Sequence, residues 1–191
     1  MRRFLILLTL ALLTVTLPAF SQITDETPRI DISGGFTHTT GDIGLNGWDA
    51  SAGYRIRPWL ALAGDISGLY GSNSVLGVNF NSNLYNFNFG PRVFVPLNDY
   101  PKWKPFGELL LGFSRQNQSL ESSLLAPGVV VPSFDASDTS FSWMIGGGID
   151  YQIHPQWRIR ALQLDLLRTS FVGSTQNKLR LNFGVVYQFG E

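Results

Sequence analysis

His38, flanked by Thr37, Thr39 and Thr40, is the one place in this 191-residue chain where an imidazole and hydroxyl nucleophiles are neighbours. A lipid-remodelling hydrolase would need such a pair with an acid behind the ring, and Asp42 is the nearest acid in sequence. The other histidine, His154, falls far along the chain. With no cysteine there is no thiol nucleophile, no disulfide scaffold and no zinc-finger ligand set. No G-x-x-x-x-G-K-[ST] or G-x-S-x-G sequence occurs, and Gly146 to Gly148 read better as space for a neighbour than as a phosphate cradle. The expectation is a protein that is not an enzyme and uses no cofactor or metal. What remains is electrostatic: single charges set among small residues at Asp31, Asp49, Arg55, Asp65, Arg92, Glu108, Asp150, Asp165 and Arg180.

Composition narrows the classes further. Fourteen Lys+Arg balance fourteen Asp+Glu, so no basic excess exists to neutralise phosphates, and nucleic acid is not expected as a partner. Charged residues make up 15 % of the chain, against roughly 25 % in ordinary soluble domains. Lys102, Lys104 and Lys178 are the only lysines. A water-facing surface is built mainly from Lys and Glu, so this shortage asks what the surface faces.

The elements that must position the charges follow a period of two. Apolar and polar residues alternate over Ile30 to Thr37, Trp48 to Arg57, Leu60 to Tyr70, Tyr85 to Val95, Glu108 to Ser114, Phe141 to Tyr151, Trp157 to Arg168 and Leu179 to Phe189. Side chains alternate faces along a strand, so each segment has one apolar and one polar face. The phase of the seventh segment slips near Ala161, which predicts a β-bulge there and would bring Arg160 to the polar face. Short, Pro-containing links follow the second, fourth and sixth segments. Longer links rich in Gly, Ser and Asn are expected over 39–47, 71–83, 116–138 and 169–177. The fold class is all-β: an eight-stranded antiparallel up-and-down transmembrane β-barrel.

Residues 1–21 read as a cleaved signal peptide, with Arg2 and Arg3 before the apolar run Phe4 to Leu17 and small residues at Ala19 and Ser21. Residues 22–191 are then the barrel domain, exported to the bacterial outer membrane. Alternation alone does not say which face is outside, and a soluble lipocalin-like lipid-binding barrel has the same periodicity. Two features favour an apolar exterior. The polar face is built of small residues, as a narrow lumen requires. Aromatics cluster at both ends of the apolar faces, as in interfacial girdles. Tyr54, Trp59, Phe106, Tyr151, Trp157, Tyr187 and Phe189 lie near the short turns; Trp48, Tyr70, Tyr85 and Trp143 lie near the long loops. Lipid is then the first partner.

Lys104-Pro105-Phe106-Gly107, Gly146-Gly147-Gly148-Ile149-Asp150-Tyr151 and the ending Gly184-Val185-Val186-Tyr187-Gln188-Phe189 resemble small bacterial outer-membrane β-barrels of the OmpA/opacity type. The resemblance spans the mature chain. It implies a monomeric barrel, and a C-terminal strand read by the barrel-assembly machinery. Gly190 and Glu191 follow the terminal aromatic, where many such proteins stop.

Two readings of the inward charges stay open: a structural plug filling the barrel, and a gated narrow pore for small solutes or ions. Eight strands leave little more than side-chain space, which favours the plug. Arg92 and Glu108 flank one hairpin and are expected as cross-strand neighbours. Loop 116–138 contains the apolar run Leu124 to Pro132, which reads equally as a site for an extracellular partner and as a segment packed on the barrel rim.

Overall fold

A computed structural model of the chain describes residues 29–41, 44–75, 78–120, 123–126, 129–131, 134–171 and 174–189. The signal-peptide segment 1–21, Asp42 and the chain end at Gly190 and Glu191 lie outside the described residues. The strands are β1 (Ile30–Thr39), β2 (Leu45–Arg57), β3 (Leu60–Val75), β4 (Val78–Phe94), β5 (Trp103–Leu120), β6 (Ser123–Ala126), β7 (Val129–Val131), β8 (Phe134–His154), β9 (Trp157–Phe171) and β10 (Ser174–Phe189). Eight of them close an antiparallel barrel in the order β1-β10-β9-β8-β5-β4-β3-β2, and β6 and β7 form a separate hairpin between β5 and β8. A row of register partners followed around the barrel from Ile30 returns to its own strand at Thr40, whose N–H bonds the Leu179 carbonyl at 2.8 Å. That stagger goes with strands tilted about 40°.

The faces are inverted relative to a soluble barrel. Phe87, Phe89, Phe113, Ile145 and Val185 stand on the outside, Phe89 with 64 % of its surface exposed. Asp, Arg, Ser, Asn and Gln fill the inside. This rules out the lipocalin-like alternative, in which the apolar face would line the cavity. Hydrocarbon in place of water makes the arrangement stable: the apolar band stays in lipid, and closure satisfies the backbone of every spanning strand.

Three expectations are corrected. The long links 71–83, 116–138 and 169–177 are largely strand: β3 and β4 stay paired to Val75 and Val78, β5 and β8 to Leu120 and Phe134, and β9 and β10 to Phe171 and Ser174. Gly, Ser and Asn there belong to ladders that continue beyond the lipid, where the outward face no longer has to be apolar. Phe106 is buried inside the lumen rather than standing in the girdle, because it shares the parity of Glu108. Arg57, which the alternation through Arg55 would bring to the polar inner face, is exposed instead, at the shift in the β2–β3 register between Arg55 and Arg57.

The bulge in β9 lies where the phase slips. Arg158 and Arg160 point inward below Ala161, and Gln163, Asp165, Leu167 and Thr169 point inward above it. Both neighbouring ladders shift there, between Asn182 and Gly184 on β10 and between Ile149 and Asp150 on β8.

Candidate functional site

Each of the eight barrel strands sends at least one charged side chain into the lumen, and most of these charges join in one connected body. Arg92 on β4 donates from Nε to Glu108 Oε2 at 2.7 Å across the β4–β5 ladder. Its Nη1 stands 3.5 Å from Asp31, and its Nη2 donates to Ser51 at 3.3 Å. Asp150 pairs with Arg160 at 3.0 Å and with Arg158 at 3.7 Å. Arg180 on β10 reaches across the lumen to β3, where its Nη1 and Nη2 grip both oxygens of Asp65 at 2.8 and 3.0 Å. Its Nε donates to Asp165 at 3.1 Å. Planar guanidinium forks suit such bidentate contacts. Arg55 lies 3.9 Å from Asp31. Asp49 is also buried on the inner face, but has no ion pair among the described residues, and its Oδ2 lacks a hydrogen-bond partner.

Sequence reasoning missed the residue that joins the two halves. Gln163 accepts from Arg160 at 2.9 Å and donates to Glu108 at 3.0 Å and to Asp165 at 2.8 Å. It also missed Arg158 and the inward ring Phe94. The signal was parity: Arg158 shares the face of Arg160, and Phe94 that of Arg92. Phe94 and Phe106, the inward rings on the turn side, carry cations. Arg55 lies 3.8 Å and Arg158 6.0 Å from the Phe94 centroid, and Arg92 and Arg160 lie 5.0 and 4.7 Å from that of Phe106. Cation–π attraction strengthens where both partners are desolvated.

Leu45, Ala63, Leu69, Leu84, Leu110, Met144, Leu167 and Phe171 form one apolar cluster inside the barrel. All but Ala63 lie on the loop side of the inward charges of their own strands. Glycines make the room below: a Cβ on Gly146 would collide with the Asp165 carboxylate and the Leu164 carbonyl, and one on Gly53 would come 2.7 Å from Asp31.

The aromatics form two outer belts. Tyr54, Tyr151, Trp157, Tyr187 and Phe189 surround the turn end, joined by Trp103, which packs 4.8 Å from Tyr151. Trp59 occupies the β2–β3 turn at the same end. Trp48, Tyr70, Tyr85 and Trp143 surround the loop end, with Tyr70 and Tyr85 edge to face at 5.9 Å. From Phe141 to Tyr151 on β8 is about 33 Å of strand, or about 25 Å along the axis at this tilt, the height of an outer-membrane apolar band.

The histidine constellation does not assemble. His38 faces outward and bonds Asn46 at 2.7 Å, whereas Thr37 and Thr39 are buried on the inner face. Thr40 donates to the Leu179 carbonyl. His154 lies at the opposite end of the barrel, beside the Pro155–Gln156 turn.

Residues 7–189 match the family described as outer membrane protein beta-barrel domain. The fold is similar to that of Ail, the attachment invasion locus protein of Yersinia pestis, with 17 % identity, a TM-score of 0.60, and 85 % of this chain and 99 % of that one covered. Ail has also been solved in complex with the heparin analogue sucrose octasulfate. Neisserial surface protein A matches with 15 % identity, a TM-score of 0.58, and 84 % of this chain and 96 % of that one covered. Outer membrane protein OprG of Pseudomonas aeruginosa matches with 10 % identity, a TM-score of 0.55, and 86 % of this chain and 97 % of that one covered. No curated protein matches by sequence. At these identities the likeness is one of fold.

Proposed function

The chain belongs to the outer membrane protein beta-barrel domain family and resides in the bacterial outer membrane, and from that premise we propose a non-enzymatic barrel with a sealed lumen that acts through the strands it raises above the lipid. The observation that carries the sealed lumen is the complete burial of Arg92 and Arg180, both 0 % exposed at mid-barrel. A water path would wet at least one of these guanidiniums. The apolar cluster, all but Ala63 on the loop side of its own strands' charges, adds a second barrier.

The raised part is a four-stranded flap of β3, β4, β5 and β8. The β2–β3 register begins at Asn46 and Tyr70, and the β8–β9 register at Ser142 and Thr169, so both sides of the flap run past their neighbours. Such sides present unpaired backbone groups, the usual template for contact with another chain. Its chemistry is neutral to acidic. Residues 70–86 carry no charge, and residues 115–139 carry Arg115 against Glu121, Asp135 and Asp138. This favours an extracellular partner held by hydrogen bonds and apolar contact over a polyanion of the kind bound by Ail. The apolar run 124–132 falls in the segment between β5 and β8 that carries the β6–β7 hairpin, and its side chains are outside the described residues.

Planar-bilayer recording of the folded barrel tests the seal: the expected trace is flat, and stable single-channel openings would overturn it in favour of a narrow pore. Cells displaying a barrel whose flap is trimmed at 72–81 and 116–137 should keep a folded protein and lose surface attachment. Unchanged attachment would refute the outward role.

A further inference from the structure

The lumen charges are sorted by height. On the turn side, four buried arginines and Lys104 meet three acids, Asp31, Glu108 and Asp150. On the loop side, Arg180 meets Asp49, Asp65 and Asp165. The turn side thus carries two positive charges in surplus, and a buried surplus of one sign is strongly disfavoured without a counter-charge.

That surplus gathers around one ring. The guanidiniums of Arg55 and Arg158 both face Phe94, and Lys104, half-buried at the mouth, is within electrostatic reach of both. Their donors are not used up. Arg55 Nη1 donates to the Pro58 carbonyl and Arg158 Nε to Gln188, but Arg55 Nε and Arg158 Nη1 are buried without a hydrogen-bond partner. The acids at this level meet them only as loose ion pairs without a hydrogen bond: Asp31 stands 3.9 Å from Arg55, and Asp150 Oδ2 stands 3.7 Å from Arg158 while Oδ1 is engaged with Arg160. Lys104 is opposite Asp150 in register, yet makes no ion pair among the described residues.

We propose that the turn-side mouth of the lumen is a phosphate-binding site, formed by Arg55, Lys104 and Arg158 over Phe94. The surplus of two charges matches a phosphate monoester, which carries about −1.5 to −2 at neutral pH. Arginine forks with a lysine point charge are the usual donor set for that group. The group arrives from the periplasm as a free phosphate or from the inner leaflet as a lipid headgroup.

The test uses the full barrel folded in zwitterionic phosphatidylcholine vesicles, with the thermal-unfolding midpoint followed in two arms. One arm adds inorganic phosphate at constant ionic strength; the other adds phosphatidic acid to the vesicle with no free phosphate. A saturable rise is expected in at least one arm, and the responding arm identifies the source. Lys104→Gln should weaken the apparent affinity roughly tenfold, the scale of one lost charge-assisted hydrogen bond. Lys102→Gln, exposed in the adjoining turn, should leave it unchanged. Phosphorus-31 line broadening by the folded variants reads binding without unfolding them. No rise in either arm, or an equal response in Lys104→Gln, would overturn the site.

Discussion

Replacing Arg180 by Met tests the lumen network where its connections are most unequal. Arg180 donates to both oxygens of Asp65 and to Asp165. Removing it strips Asp65 of the donors to both its oxygens, whereas Asp165 keeps donors in Gln163 at 2.8 Å and Asn182 at 2.9 Å. Breaking a buried pair by deleting one partner costs about 3–5 kcal/mol, because the other charge stays buried. Nearly all of that should fall on Asp65. The double variant Arg180→Met/Asp65→Leu should therefore recover at least half of the loss, since an apolar pair of similar volume is often neutral. Arg180→Met/Asp165→Leu should recover less than about 1 kcal/mol, because it removes a carboxylate that still has partners. The assay is urea unfolding in zwitterionic vesicles, followed by tryptophan fluorescence and by the mobility of the folded form on unheated SDS gels. All five tryptophans stand at the membrane belts or turns, so their emission reports departure from lipid. Equal recovery from the two double variants, or a single-variant loss under about 1 kcal/mol, would refute the reasoning.

Three further substitutions probe the two faces of the wall. Phe89→Arg should cost roughly 2–4 kcal/mol in the same titration, the price of a charge near the bilayer midplane; a cost near zero would mean that the face does not touch hydrocarbon. Gly146→Ala should cost about 1–3 kcal/mol by driving Cβ into the Asp165 carboxylate, while Gly107→Ala, whose nearest new contact is 3.7 Å away, should be close to neutral; matching effects at the two glycines would count against a filled lumen.

How much was legible in the sequence depended on which constraint had a period. The strand faces were readable because lipid on one side and a packed lumen on the other impose strict alternation, as in Tyr85 to Val93, and the slip at Ala161 showed as a break in it. The extent of the strands was not, because above the lipid the outward face is free to be polar and the alternation fades, so 71–75 and 116–120 looked like loop. Phe106 was misread for a chemical reason: an aromatic beside a turn suits a girdle, but two arginines over its ring give it an equally good place inside. Arg92 and Glu108 could be paired from one hairpin, whereas Arg180 with Asp65, or Gln163 with Glu108, could not. Those contacts join strands that are not neighbours in the sheet, and only the stagger of the closed barrel brings them together.

That dependence on stagger gives the bulge its purpose. A regular β9 cannot bring both Arg158 and Arg160 and Gln163 and Asp165 to one face, because their positions differ in parity; the extra residue at Ala161 reconciles them. Deleting Ala161 restores strict alternation and forces a choice. If the lower half turns, Arg158 and Arg160 meet lipid and Asp150 loses both its cations. If the upper half turns, Asp165 meets lipid and the three bonds of Gln163 are broken. Either way a charge enters the apolar band, at up to roughly 2–4 kcal/mol for an arginine at the midplane and less for an aspartate or toward the interface, and at least one buried pair breaks, at about 3–5 kcal/mol. The sum is comparable to the whole stability of a small domain. The deletion variant is therefore expected to yield little or no folded form on unheated gels after refolding into vesicles. A deletion that folds with the parent's unfolding midpoint would show that the network tolerates the loss of one of its halves, and that it does not set the register of the barrel.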